Sequence, residues 1–173
     1  MPPREKIYDT QSSMDAALRI LGRRAHSKAE LKKKLLAKGV PYHLADNAIA
    51  ECARLSLVND AEFARAYAAE LRGKGAGPLK IKAALSVKGI DKETAASAAG
   101  EALPEDDLLS AAISSLSGKL TSLRHEKDKR KQREKAVRFL MSRGFPSGVV
   151  FKAVAAKLSG APGDDEPTTP SDF

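Results

Sequence analysis

Three histidines, His26, His43 and His125, and one cysteine, Cys52, are the side chains of this 173-residue chain best suited to metal binding or nucleophilic catalysis. Their spacing supports neither. Zinc sites draw on closely spaced His or Cys pairs, and no such pair or cluster occurs. Each histidine reads as a surface or helix-end residue, and Cys52 as a small buried thiol on the inner side of a helix. Gly73-Lys74-Gly75-Ala76-Gly77 could bring backbone amides near a phosphate, but it lacks the lysine and hydroxyl positions of a nucleotide-binding loop. It reads as an interhelical loop with at most a nonspecific phosphate contact. The acidic residues are committed to helix starts: Glu30 and Glu62 stand at capping positions, Asp60 follows the cap Asn59, and Asp106 and Asp107 suit a helix N-terminus. A paired-carboxylate mechanism has no visible pair. The expectation is a protein that is not an enzyme and that uses no cofactor and no metal.

Cations supply the remaining chemical signal. Arg23, Arg24, Lys28, Lys32, Lys33, Lys34 and Lys38 crowd one short segment opposed only by Glu30; Arg65, Arg72, Lys74, Lys80, Lys82 and Lys88 repeat the bias, and Lys127, Lys129, Arg130, Lys131, Arg133, Lys135, Arg138 and Arg143 extend it. Three consecutive lysines sweep about 200° of a helix, so they cannot all face one partner. Lys33 is the outward candidate and Lys32 an intermediate one whose stem packs. The residues expected to contact a partner or DNA are Arg23, Arg24, Lys32, Lys33, Arg65, Arg72, Lys74, Lys80, Lys82, Lys88, Arg130, Lys131, Arg138 and Arg143.

What must position these cations is a set of short helices. A cation, a glycine and an apolar residue recur at Lys38-Gly39-Val40, Lys88-Gly89-Ile90 and Arg143-Gly144-Phe145, each closing an amphipathic run. The cation suits a helix C-terminus and glycine the left-handed residue beyond it. The glycines lie 50 and then 55 residues apart, too far for a helical hairpin and suited to three short helices. Apolar spacing fills in the rest. Ser12 or Ser13 caps a first helix, and its Met14, Ala17, Leu18 and Leu21 face inward. Ser27 and Glu30 form a capping box for a second, with Leu31, Leu35 and Leu36 inward, and Pro41 introduces a third with Leu44, Ala48, Ile49, Cys52 and Leu55.

The second unit starts at the Asn59–Glu62 capping box, buries Phe63 and Leu71, restarts at Pro78 and ends in an alanine-faced helix of thin core. The third opens after Pro104 on Leu109, Ile113, Leu116, Leu120 and Leu123, read as one core helix despite Gly118, and continues to Val137, Leu140, Met141 and a last helix near Leu158. The expected architecture is all-α: nine helices in three tandem three-helix units of helix-turn-helix size, forming an elongated, curved array. The units span 12–57, 58–104 and 105–158, between a disordered N-terminus, 1–11, and a disordered acidic tail, 159–173.

Charge separates body from tail. The chain carries 30 Lys and Arg against 22 Asp and Glu, net +8; the tail holds four acids and no cation, leaving +12 on residues 1–158. Such a body attracts polyanions, although the same charge also serves plain solubility. No apolar run reaches membrane-span length, no secretory signal opens the sequence, and a lone cysteine fits a reducing cytoplasm.

The segments Ala17-Leu18-Arg19-Ile20-Leu21, Ser27-Lys28-Ala29-Glu30-Leu31 and Lys38-Gly39-Val40-Pro41 resemble the RecX family of bacterial regulators of the RecA recombinase. So do Leu57-Val58-Asn59-Asp60-Ala61-Glu62-Phe63-Ala64-Arg65-Ala66-Tyr67, Gly77-Pro78-Leu79-Lys80-Ile81, Lys88-Gly89-Ile90 and Arg143-Gly144-Phe145. The resemblance covers about residues 14 to 158 and departs in the alanine-rich sixth helix, in Ser147-Gly148 and in the acidic tail. It implies a non-catalytic protein that binds the RecA filament on DNA and modulates, usually inhibits, RecA ATP hydrolysis, strand exchange and coprotease activity in recombination, DNA repair and the SOS response. A monomer with nonspecific affinity for single- or double-stranded DNA is the accompanying expectation. The alternative is a direct DNA-binding helical protein of transcription or chromosome organisation.

Overall fold

A computed structural model describes residues 7–158, and among these it contains ten α-helices, one 3-10 turn and no strand. The acidic tail expected to be disordered lies outside the described residues, as do residues 1–6. Unit one comprises α1 (Thr10–Leu21), α2 (Lys28–Ala37) and α3 (Tyr42–Arg54); unit two comprises α4 (Asp60–Gly73), α5 (Pro78–Val87) and α6 (Lys92–Ala102). In unit three, a 3-10 turn at Glu105–Asp107 leads into α7 (Leu108–Ser117), α8 (Leu120–Arg124), α9 (Lys129–Ser142) and α10 (Ser147–Leu158).

Local chemistry sets most of these boundaries. The carboxylate of Asp9 accepts from the Ser12 amide at 2.7 Å while the Ser12 hydroxyl accepts from the Asp9 amide at 2.9 Å, a reciprocal cap that starts α1 before the expected Ser12 or Ser13. Thr10 and Gln11, expected to be disordered, are therefore helical. Ser27, Asn59, Asp91 and Asp128 cap α2, α4, α6 and α9 through their side-chain oxygens, and Pro78 opens α5 where its missing N–H is harmless. Gly39, Gly89 and Gly144 take φ of +85°, +76° and +83°, the left-handed stop expected of each tripeptide.

One long helix was expected where the structure has two. The chain breaks at Gly118 and Lys119, so α7 and α8 are separate and ten helices replace nine. Glycine weakens the helix there, and the break lets α8 fold against α9, where the Leu123 carbonyl accepts from Gln132 Nε2 at 3.1 Å. Leu116 and Leu123 still reach the core, whereas Leu109 is exposed.

Each unit has its own core. Leu31, Leu35, Ala45 and Cys52 anchor the first, Ala64, Ile81, Leu85 and Ala99 the second, and Leu116, Leu140, Phe145 and Val150 the third, with no buried residue shared between clusters. Leu18, Leu36 and Leu55, expected to face inward, are exposed. In each case a unit of three short helices is too narrow to cover the full apolar arc, and the outer edge of the stripe stays in water. The three cores follow in chain order, and the major helix packing lies within units, giving an elongated tandem array.

Candidate interaction surface

Because the cores are separate, the array is held by two junctions, and both use the same parts: the C-terminus of one unit's penultimate helix, α5 or α9, meets the N-terminus of the preceding unit's penultimate helix, α2 or α5. At the first junction the Ser27 hydroxyl accepts from the Glu30 amide at 3.1 Å and donates to the Lys88 carbonyl at 2.6 Å. Gly89 lies so close to Ala29 that a Cβ on the glycine would overlap the alanine methyl. The amide of Lys28 donates to Asp60 Oδ1 at 2.8 Å. The stop glycine is thus also a close-approach residue, a role beyond helix termination that the sequence did not reveal.

Glu30 binds this junction electrostatically. Lys88 Nζ donates to Glu30 Oε1 at 2.6 Å, and Arg24 approaches both carboxylate oxygens at 3.2 and 3.3 Å. Burial alone would push the carboxyl up; the hydrogen bonds and positive charge of Arg24 and Lys88 outweigh it and hold the group down from 4.5 to about 2. The expected capping-box role of Glu30 is therefore replaced by an ion-pair role, because two cations offer the carboxylate more than one backbone amide can. Next to it His26 stands at a helix end, one residue before the cap of α2, and is buried. Its Nδ1 lies 2.8 Å from the Arg24 carbonyl, Nε2 has no partner among the described residues, and burial, with repulsion from Arg24 and Lys34, depresses its pKa.

The second junction repeats the geometry with backbone groups. Gly77 N donates to the Arg143 carbonyl at 2.7 Å and Leu79 N to the Gly144 carbonyl at 3.1 Å, so the first turn of α5 and the last turn of α9 satisfy each other's orphan groups. A Cβ on Gly77 would stand 2.6 Å from the Gly144 carbonyl carbon. Arg143 Nη1 donates to the Lys74 carbonyl at 2.8 Å, and Arg72 lies 3.9 Å from Asp107. The glycine loop 73–77, considered above for a phosphate, is a docking loop for unit three.

These contacts divide the cations. Lys32 is held by Asp46 at 2.6 Å and stands over the Tyr42 ring at 3.9 Å, Lys74 pairs with Glu70, Lys80 reaches the Ser142 carbonyl at 3.4 Å, and Arg130 pairs with Glu134 at 3.2 Å. With Arg24, Arg72, Lys88 and Arg143 they belong to the scaffold or its surface pairs. Arg23, Lys33, Arg65, Lys82, Lys131 and Arg138 are exposed and have no side-chain partner among the described residues. Each unit contributes two of them.

The structure also gathers cations that are distant in sequence. Arg72, Lys74 and Arg143 line a cleft of about 810 Å³ between units two and three together with Lys119, Ser110 and Ser114. Lys119, a lone lysine after a glycine, was missed because nothing local marks it. Arg130 and Arg138 flank a groove of about 910 Å³ along α9, whose floor is Val137, Met141 and Phe151. Among the described residues no cluster of His, Cys, Asp or Glu could hold a metal, and no helix is long and apolar enough to cross a membrane.

Family models describing the first, second and third three-helix domains of RecX match residues 14–52, 59–98 and 105–154 in that order. A curated relative from Xanthomonas oryzae pv. oryzae (strain PXO99A), "Regulatory protein RecX", is 32% identical over 167 residues, 91% of this chain and 94% of the relative. The chain belongs to the RecX family. A Thermus thermophilus RecX is 35% identical over 79% of this chain and 86% of its own length. The crystal structure of RecX from Lactobacillus salivarius superposes with a TM-score of 0.74 at 22% identity, covering 85% of this chain and 95% of that one, and so supports the fold. RecX relatives are regulatory proteins by name, which accords with an array of helical units built around junctions.

Proposed function

We propose that this RecX-family chain regulates the RecA recombinase by lying along the RecA–DNA filament and lowering RecA's ATP hydrolysis, strand exchange and coprotease activity. The observation that carries the reading is the distribution of partnerless cations. Every unit carries exposed cations with no side-chain partner among the described residues, among them Arg23 and Lys33, Arg65 and Lys82, and Lys131 and Arg138, so positive charge runs through the whole array and suits an extended polyanionic partner. The protein acts in this reading as a cytoplasmic monomer without catalytic groups of its own.

The test mixes the purified chain with RecA, ATP and single-stranded DNA and follows ATP hydrolysis and filament length. Both should fall at concentrations comparable to RecA. No change in either overturns the reading.

The cationic cleft between units two and three favours direct contact with the DNA backbone as a second reading. Binding of the chain alone to DNA at nanomolar affinity and physiological salt, with a preferred sequence, would favour a DNA-binding regulator over a filament binder. Charge reversal at Arg65, Lys82 and Arg138 together should weaken polyanion binding about tenfold or more and flatten its salt dependence, while reversal at Lys131 alone does much less.

A further inference from the structure

The two junctions use the same connector, and unit one carries a third copy of it that nothing covers. At Lys88-Gly89 the lysine carbonyl takes the Ser27 hydroxyl and the glycine packs under Ala29; at Arg143-Gly144 the two carbonyls take the Gly77 and Leu79 amides and the glycine packs under Lys80. Lys38-Gly39 has the same left-handed glycine, at φ +85°, yet beyond its own chain neighbours nothing lies within 4 Å of where its Cβ would be. Neither the Lys38 carbonyl nor its ammonium has a hydrogen-bond or ion-pair partner among the described residues. Leu36 and Tyr42, flanking this end, are 37% and 63% exposed. The connector is the open end of an interface already used twice in the chain.

We infer that Lys38-Gly39 is a docking site for the first turn of a helix on the partner protein, a helix with a serine or glycine N-cap, a small residue over Gly39 and an acidic residue in its third position. The first junction, whose Lys-Gly pair Lys38-Gly39 repeats, sets the small residue and the acid; the second shares only the docked N-cap, with Lys80 over Gly144 and no acid in the first turn of α5. Ser27 and Gly77 are the N-caps that dock, Ala29 is the small residue over Gly89, and Glu30, third in α2, takes the ammonium of Lys88. An acid at the same place would take Lys38. The helix dipoles then run head to tail, as they do at both internal junctions.

A second copy of this chain does not fit. Within one chain the N-termini of α2 and α5 are already covered, and that of α9 begins Lys129-Arg130-Lys131 with no acid in its first turn to take the Lys38 ammonium; α5 lacks one too, but the cation it meets is Arg143, which turns to the Lys74 carbonyl instead.

The site rests on the reading that the partner is the RecA filament, and the experiment separates the two. Filaments assembled on single-stranded DNA with a nonhydrolysable ATP analogue are titrated with labelled wild-type chain, Gly39→Asn and Lys38→Glu. Asparagine tolerates the left-handed conformation, so Gly39→Asn obstructs the connector with little cost to the fold; Lys38→Glu reverses its charge without touching the backbone. Both variants should keep the wild-type helicity and melting temperature within a few degrees and bind filaments at least tenfold more weakly. Wild-type affinity in both variants overturns the docking site and leaves the filament reading intact. Failure of the wild-type chain itself to bind overturns both. Light scattering provides the remaining arm: concentration-dependent self-association of the wild-type chain that Gly39→Asn abolishes would make the occupant a second copy and overturn the assignment.

Discussion

Glu30 shows how one residue can join two folding units. Its carboxylate is held at about 2 by Arg24 and Lys88 in spite of burial, so its ionised form is favoured by folding. The unfolded carboxyl titrates near 4.5, and a group depressed on folding contributes its stability above that value and loses it as the pH falls toward 2. The full difference corresponds to about 3 kcal/mol at neutral pH, an upper bound for a pair that keeps some exposure. Glu30→Gln should therefore lower the melting temperature at neutral pH, and the gap from wild type should narrow below pH 4.5 and close near pH 2. Circular dichroism melts across that range check it. A gap that is constant with pH would mean the carboxylate contributes through shape alone. None of this was legible locally: Ser27-x-x-Glu30 reads as a capping box, and Lys88, 58 residues away, enters only when unit two docks.

The stop glycines do the same work for the elements. At Gly39 an added methyl meets only the left-handed backbone, which costs roughly 1 kcal/mol. At Gly89 and Gly144 it also overlaps Ala29 and the Lys80 backbone, so the junction must open. Gly89→Ala and Gly144→Ala should cost about 2 to 4 kcal/mol and Gly39→Ala about 1 kcal/mol, measured by urea denaturation. Equal losses at all three would show that the glycines only end helices. Periodicity found these helices and their stops well, because both depend on residues three or four apart. It joined α7 and α8 into one helix because the leucine spacing continues across Gly118, and the break is favoured by packing of α8 on α9.

At the scale of the whole molecule, three cores without shared members make stability a sum of unit and junction contributions, so the chain should not unfold as one block. Leu140 is fully buried in the third core. Leu140→Ala should cost about 3 kcal/mol and speed amide exchange in α7, α9 and α10, leaving α2 and α3 near wild-type protection. Exchange that rises equally in all units would indicate a single cooperative domain.

Local chemistry in the sequence determined the helices, their caps, the left-handed glycines, the tandem order of units and the cationic body, because each is set by neighbours within a turn or by composition. Tertiary structure decided which cations are free. Lys32 and Lys33 are adjacent and equally charged, yet one is held between Asp46 and Tyr42 while the other is exposed without a partner among the described residues. The same holds for the glycines, identical in sequence context, of which two lie in junctions and one is open. A charge or a glycine in a chain has no outside until the units have packed, and packing here joins residues 32 to 69 positions apart through a few carboxylates and carbonyls.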